Sequence, residues 1–340
     1  MSAHTLHPIR IRAHSALRTV RRGSAYAFLA VLCVWGLCVA PAAAQSKNVS
    51  ARGTTQVLPS EKDGYPISIT YYEAPDRNAA QENAPVLIMV HGEGGSRLIY
   101  DSSSKPPGPN GKPLAEMFNL QGFAVVTVDL RKHGESLEEG ASRILKNEDF
   151  SLMAYSDLPA VKKFLVQEHE KKKLNINKLG IIAADSMVPV ALEFAASDWS
   201  LEPHKDGPGG SFGTPRGQDV RAIVMLSPIV SVGPVNGAKS SNFLKDPSFR
   251  IAFFVAAGTR DPEDRNAAQR LFQIVSAPRQ NEERVELFRP NTNARGTDLL
   301  GNPAAQPEQP IHEFLDKHVK RLDSEWRTRK NRYDRDASGQ

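Results

Sequence analysis

Asp185 and Ser186 put a carboxylate and a hydroxyl side by side at a break in the hydrophobic pattern of Lys178–Leu192. Leu179–Ala183 before them reads as a short strand buried on both faces. Val188–Ala196 after them reads as an apolar helix, with Pro189 suited to its first turn. Either side chain can attack carbon as a nucleophile, provided a base withdraws its proton or activates the water that finishes the reaction. Nine histidines are present, six of them beyond residue 44: His91, His133, His169, His204, His312 and His318. No pair of these has zinc-ligand spacing on a helix or a supporting cysteine, so neither a metal nor a cofactor is expected.

The first 44 residues differ in kind from the rest. Five arginines (Arg10, Arg12, Arg18, Arg21, Arg22) and no acid precede or border an apolar run, Ala25 to Ala40, that exits through Pro41-Ala42-Ala43-Ala44. This order describes a secretory signal peptide over 1–44, with export to a periplasmic, cell-envelope or extracellular location and no membrane span after cleavage. Both cysteines, Cys33 and Cys38, leave with it, which excludes disulfide, thiol and Cys-metal chemistry. Five of the 43 basic residues also leave, so 38 bases face 38 acids, and no nucleic-acid footprint remains. A chain of ~296 residues can close one sizeable core without staples. A flexible lead-in is expected over 45–53, one domain over 54–329 and a disordered tail over 330–340.

Strands alternate with helices along that domain. Thr54–Leu58 and Ile67–Tyr72 alternate in hydrophobicity around Asp63-Gly64. Val86–Val90 is a continuous apolar run, and Phe123–Val128, Leu179–Ala183, Val220–Leu226 and Ile251–Ala256 read as further buried, mainly apolar strands. Arg284–Phe288 is a last short strand. Helical periodicity marks 113–121, 153–170, 188–196, 262–275 and a charged closing stretch, 309–329. The fold class this implies is α/β: one doubly wound, mostly parallel sheet of about eight strands with helices on both faces. Residues 198–219, rich in Gly and Pro and holding Trp199 and Phe212, read as a surface insertion. The mixed charges of 317–335 read as a solvated helix that frays.

The order of marks resembles the α/β-hydrolase fold over essentially the whole domain. It runs strand-His91-Gly92, then strand-Asp129-Leu130-Arg131-Lys132-His133-Gly134-Glu135-Ser136, then the 178–192 turn, then strand-Gly258-Thr259-Arg260-Asp261. The resemblance implies a ligand site at the carboxyl ends of the strands, with the 198–219 insertion where cap segments grow over the pocket. It also implies oxyanion-binding N–H groups from Gly92 and Glu93 and from the residue after the nucleophile, Ser186 or Met187. His91 and His133 read as structural ties between loops.

The chemistry implied by the family is then carried position by position. Two registers compete at the tip of the turn, Asp185 between Ala183 and Met187, or Ser186 between Ala184 and Val188. Neither has the flanking glycines of the family's G-x-S-x-G pattern, and Met187 or Val188 would crowd a strained elbow. The expectation is a relaxed turn, with Asp185 facing solvent or capping the helix. Asp261 matches the family's acid and equally suits a cap on a helix starting at Pro262. In the histidine position stands Arg295, within Ala294-Arg295-Gly296-Thr297-Asp298-Leu299-Leu300. Arginine stays protonated and takes no proton from serine or water. The reading is an exported, non-catalytic hydrolase-like protein that keeps a pocket for a small-molecule ligand, with no protein partner specified. The alternative is an active hydrolase of small esters, using Asp185 or Ser186 with Asp261 and a displaced base such as His312.

Overall fold

The apolar runs form strands because their residues are buried on both faces of one sheet. In Val86–Val90, alternate side chains go to opposite cores, and the same holds for its neighbours. The computed structural model describes residues 53–75, 81–102 and 112–333, all within one compact unit. The expected signal peptide, the lead-in apart from Gly53, and residues 334–340 lie outside the described residues.

Ten strands are described: β1 (Thr54–Pro59), β2 (Pro66–Tyr72), β3 (Val86–Val90), β4 (Ala124–Val128), β5 (Leu179–Ala184), β6 (Val220–Leu226), β7 (Ser231–Val232), β8 (Val235–Asn236), β9 (Ala252–Ala256) and β10 (Val285–Phe288). Eight pair into one sheet in the order β1-β2-β4-β3-β5-β6-β9-β10, and β7 and β8 make a separate hairpin. β1 and β2 run antiparallel to their neighbours, and every pair from β4 through β10 is parallel.

Helices α1 (Leu98–Asp101), α2 (Leu114–Leu120), α3 (Asn147–Leu152), α4 (Leu158–Glu170), α5 (Met187–Trp199), α6 (Gly237–Leu244), α7 (Ala267–Ser276) and α8 (Glu308–Leu315) surround it. One core packs Ile88, Ile181 and Phe253 against Val161, Leu192 and Leu271 of α4, α5 and α7. The other packs Leu87, Ile182 and Phe254 against Phe118 of α2 and Phe314 of α8. The sheet is doubly wound, as the alternation of elements implies.

Three expectations fail, each for a physical reason. The helix expected from Pro262 begins at Ala267, because Asp261 is engaged elsewhere and Arg265 and Asn266 take left-handed backbone, φ 42° and 63°. The 200–219 connection joins the end of α5 to the start of β6, so it lies at the amino ends of the strands and cannot cap a site at their carboxyl ends. Trp199 belongs to α5, where its indole donates to Val220 O at 2.9 Å.

The charged tail is likewise no fraying helix. After a π turn over Asp316–Lys320 it runs back extended as a strap across the amino ends of the strands. Trp326 stacks on His169 at 4.8 Å and donates to its carbonyl. His169 is itself buried: Ile176 N–H donates to its Nδ1, and its Nε2–H donates to Arg327 O at 2.8 Å. Arg329 reaches Asp219 and Asn177, closing a buried set in which Lys162 pairs with both Asp198 and Asp219.

Removing one member of such a set strands the others. Arg329→Ala leaves two buried carboxylates on one lysine and is expected to cost about 3 kcal/mol in denaturant-induced unfolding. A change under about 0.5 kcal/mol would show the strap to be a surface decoration.

Candidate active site

β5 ends at Ala184, and Asp185 turns the chain into α5 with φ 51°. That is left-handed backbone, costing a non-glycine residue on the order of 1 kcal/mol. The turn is therefore a strained elbow with Asp185 at its tip, and the expectation of a relaxed turn is wrong. Ser186 follows in ordinary helical backbone, φ −66°, nearly fully buried, with no partner for its hydroxyl. With Asp185 at the tip, the N–H that follows it belongs to Ser186, and Met187 moves one place into the helix. Asp185 caps nothing: α5 has no side-chain cap.

The space that flanking glycines would give comes from two other loops. A Cβ on Gly92, after β3, or on Gly296, after β10, would collide with Asp185 Oδ2. Gly296 also needs glycine for its backbone, φ 52°. Gly92 sits in a tight turn, its carbonyl accepting from Gly95 N–H at 3.0 Å and from His91 Nδ1–H at 2.7 Å. Glu93 is exposed at the crest of that turn.

Arg295 joins the carboxylates. Its Nε lies 3.0 Å from Asp185 Oδ1 and 3.4 Å from Glu263 Oε2, and its Nη1 donates to Asp261 Oδ2 at 2.9 Å. The Asp261 side chain is fully buried and that of Arg295 mostly so. The other Asp261 oxygen accepts from Glu263 N–H at 2.9 Å, an Asx turn where a helix cap was expected. Arg295 thus lies between the carboxylates of Asp185 and Asp261.

Burial pushes the Asp185 carboxyl up to about 6, and Asp261, Asp298 and Glu263 add to the rise while Arg295 opposes it. Tyr100, buried with its hydroxyl on Val90 O, is kept neutral by burial and by the Asp185 charge. Nothing in the sequence pattern marked this tyrosine, whose loop returns from β3 toward the elbow.

The histidines are elsewhere or occupied. His312, on α8, faces Phe118 across 6.1 Å, its Nε2 has no partner, and its charged neighbours are Asp316, Lys320, Glu313 and Arg321. Neither Asp261 nor the elbow bonds to it, which removes it as a displaced base. His91 accepts Leu130 N–H on Nε2 and is fully buried, which holds it down at about 3. His133 donates to Arg131 O and packs on His91 at 4.5 Å. Both are struts. Among the described residues no three His, Cys, Asp or Glu side chains converge to hold a metal.

The fold superposes on those of solved hydrolases. A carboxyl esterase from Bacillus coagulans superposes with a TM-score of 0.52 at 11% identity, over 79% of this chain and 99% of that one. A putative dienelactone hydrolase from Klebsiella pneumoniae gives 0.51 at 12%, over 78% and 98%. The chain has the α/β-hydrolase fold. It also matches an acylaminoacyl peptidase from Pyrococcus horikoshii, 0.51 at 12% identity over 82% of this chain, and spans less than half of that longer protein, 43%. No protein-family model matches the sequence, and no curated protein matches it.

A guanidinium between the Asp185 and Asp261 carboxylates has a defined effect. It cannot accept a proton, and it holds the tip carboxylate in an ion pair. The net rise at Asp185 means that its burial outweighs the pull of Arg295. A carboxyl raised in the folded state is better protonated there than in the unfolded chain, so stability falls as pH rises from about 4 to about 6 and is flat above. Asp185→Asn removes this penalty and leaves Arg295 paired with Asp261 and Glu263. The variant should be more stable than the parent at pH 7 by roughly 1–3 kcal/mol, and the difference should vanish by pH 4. Chemical denaturation at the two pH values checks this, and a less stable variant at pH 7 would show the ion pair to outweigh desolvation.

Proposed function

We propose that this chain is an exported α/β-hydrolase-fold protein in which hydrolysis has given way to binding. One observation carries the reading: the base position holds Arg295, committed to Asp185 and Asp261 at 3.0 and 2.9 Å. A serine or water in front of the elbow has no group to take its proton, and general-base assistance contributes ~10²–10⁴-fold in such reactions. The hydrolytic names of the structural neighbours speak for the fold, since identities of 11–12% carry no activity across.

Ester hydrolysis by Asp185 is the competing reading, and the left-handed tip is the observation that favours it. An ester formed on Asp185 would still need an activated water, and His312 is not there to supply it.

Restoring the missing groups tests the proposal. The parent should not turn over p-nitrophenyl acetate or butyrate above buffer, and Asp185→Ser combined with Arg295→His should gain about 10²-fold over that background. Parent turnover abolished by Asp185→Asn or Ser186→Ala would overturn the reading. Export rests on the sequence of residues 1–44 alone. The intact mass of the exported chain should begin at Gln45, and a mass retaining Met1–Ala44 would show an uncleaved anchor.

A further inference from the structure

At the end of the sheet opposite Asp185, a cavity of about 550 Å³ opens between the starts of β5 and β6 and the closing strap. Its size is that of a small-molecule site. Asn177 and Arg221 line it from the sheet, and Asp323, Glu325, Arg327 and Arg329 from the strap.

The three arginines are not equally satisfied. Arg329 bonds to Asp219 and Asn177, yet its Nε has no partner although the side chain is 5% exposed. Arg221 makes one hydrogen bond, Nε–H to Asn177 O at 3.1 Å, and its guanidinium lies 5.1 Å from the Trp199 ring centre. Among the described residues no carboxylate pairs with Arg221 or with the exposed Arg327. Burial weakens the hold of Arg221 on its proton, and the nearby charges of Arg329 and Arg250 weaken it further, against Asp219 and Asp198.

The sheet also makes an exception for Arg221. Pairing of β5 with β6 jumps from Leu179↔Val220 to Gly180↔Ala222, leaving Arg221 as the extra residue of a bulge. A bulge re-aims a side chain that regular pairing would hold elsewhere. A half-buried guanidinium with no carboxylate bonded to it keeps donors to spare, and an anion carried by a ligand can take them. Asp323 and Glu325 on the same wall repel a polyanion and instead accept hydrogen bonds from hydroxyl groups. A ligand with one anionic group and several hydroxyls satisfies both sets.

We propose that this cavity binds an acidic sugar, its single carboxylate or phosphate held by the Arg221 and Arg327 guanidinia and its hydroxyls by the acids of the strap. The site shares no residue with the elbow and does not depend on whether that site is active.

Calorimetric titration of the mature chain with glucuronate, glucose 6-phosphate, glucose and inorganic phosphate tests it. One of the two acidic sugars should bind with a Kd below about 1 mM, and which one does so tells carboxylate from phosphate. Glucose and inorganic phosphate should each bind at least about tenfold more weakly. Arg221→Gln should lose about tenfold, Arg221→Lys most of that, and Arg143→Gln, an exposed arginine elsewhere, nothing. Should Arg221→Gln fail to fold, Arg327→Gln on the exposed strap carries the test, with an expected loss of at least about threefold. No binding by either acidic sugar, inorganic phosphate binding as tightly as glucose 6-phosphate, or affinity unchanged in the foldable variants would each overturn the proposal.

Discussion

The guanidinium of Arg295 is the contact on which the carboxyl end of the sheet depends. It lies between Asp185 from the loop after β5 and Asp261 and Glu263 from the loop after β9, and is itself carried on the loop after β10. Three loops are thus tied by one fixed charge. The arrangement is acidic overall, so the tie is strong at Asp261, whose side chain is fully buried, and contested at Asp185, where burial wins over attraction. A histidine in the same place would alternate between two protonation states and two partners; arginine has one state and keeps them.

The neighbouring loops are braced by the same means. Arg97, nearly fully buried, binds Asp129 through both its backbone N–H and its guanidinium, and reaches Glu135 at 2.7 Å. Arg131 holds Asp157 and Asp63 at 2.6 and 2.8 Å, the first of these at the π turn between α3 and α4. Gly134, φ 48°, lets the chain pass against the Asp129 carboxylate where a Cβ would collide. Buried arginine–carboxylate pairs contribute little net stability, but losing one partner is costly, so they favour a single arrangement of the loops. The conspicuous motif Asp129–Ser136 is thus scaffolding around the site.

Most of the parallel strands were legible because burial on both faces demands a mainly apolar composition, with Arg221 in β6 and Glu286 in the part-exposed β10 as departures. The position of Arg295 was legible too, through the order of marks around it. What the sequence hid was distance in the chain. The elbow looked crowded when judged by Ala183 and Met187, whereas the room it needs comes from Gly92 and Gly296, about a hundred residues away on either side. The tail looked solvated because its partners lie on other elements: Asp219 pairs with the Arg329 guanidinium, Glu170 accepts from the Thr328 hydroxyl, and Asp206 accepts from the Arg332 N–H. The helix expected after Asp261 began late because that carboxylate serves Arg295 and the Glu263 N–H, and a local Asp-Pro pattern cannot show a remote commitment.

The elbow and its tether explain each other. Left-handed backbone at Asp185 persists only if its surroundings over-determine it. Here the Asp185 N–H donates to Leu226 O at 2.9 Å, the Asp185 carbonyl accepts from Val188 N–H at 3.2 Å, and the side chain is drawn toward Arg295. Aspartate also enters the left-handed region more easily than most residues. The turn that opens α5 is thereby tied to the loop after β10. The left-handed turn is held by backbone bonds that any residue could make, while Arg295 draws the Asp185 side chain without outweighing the cost of its burial.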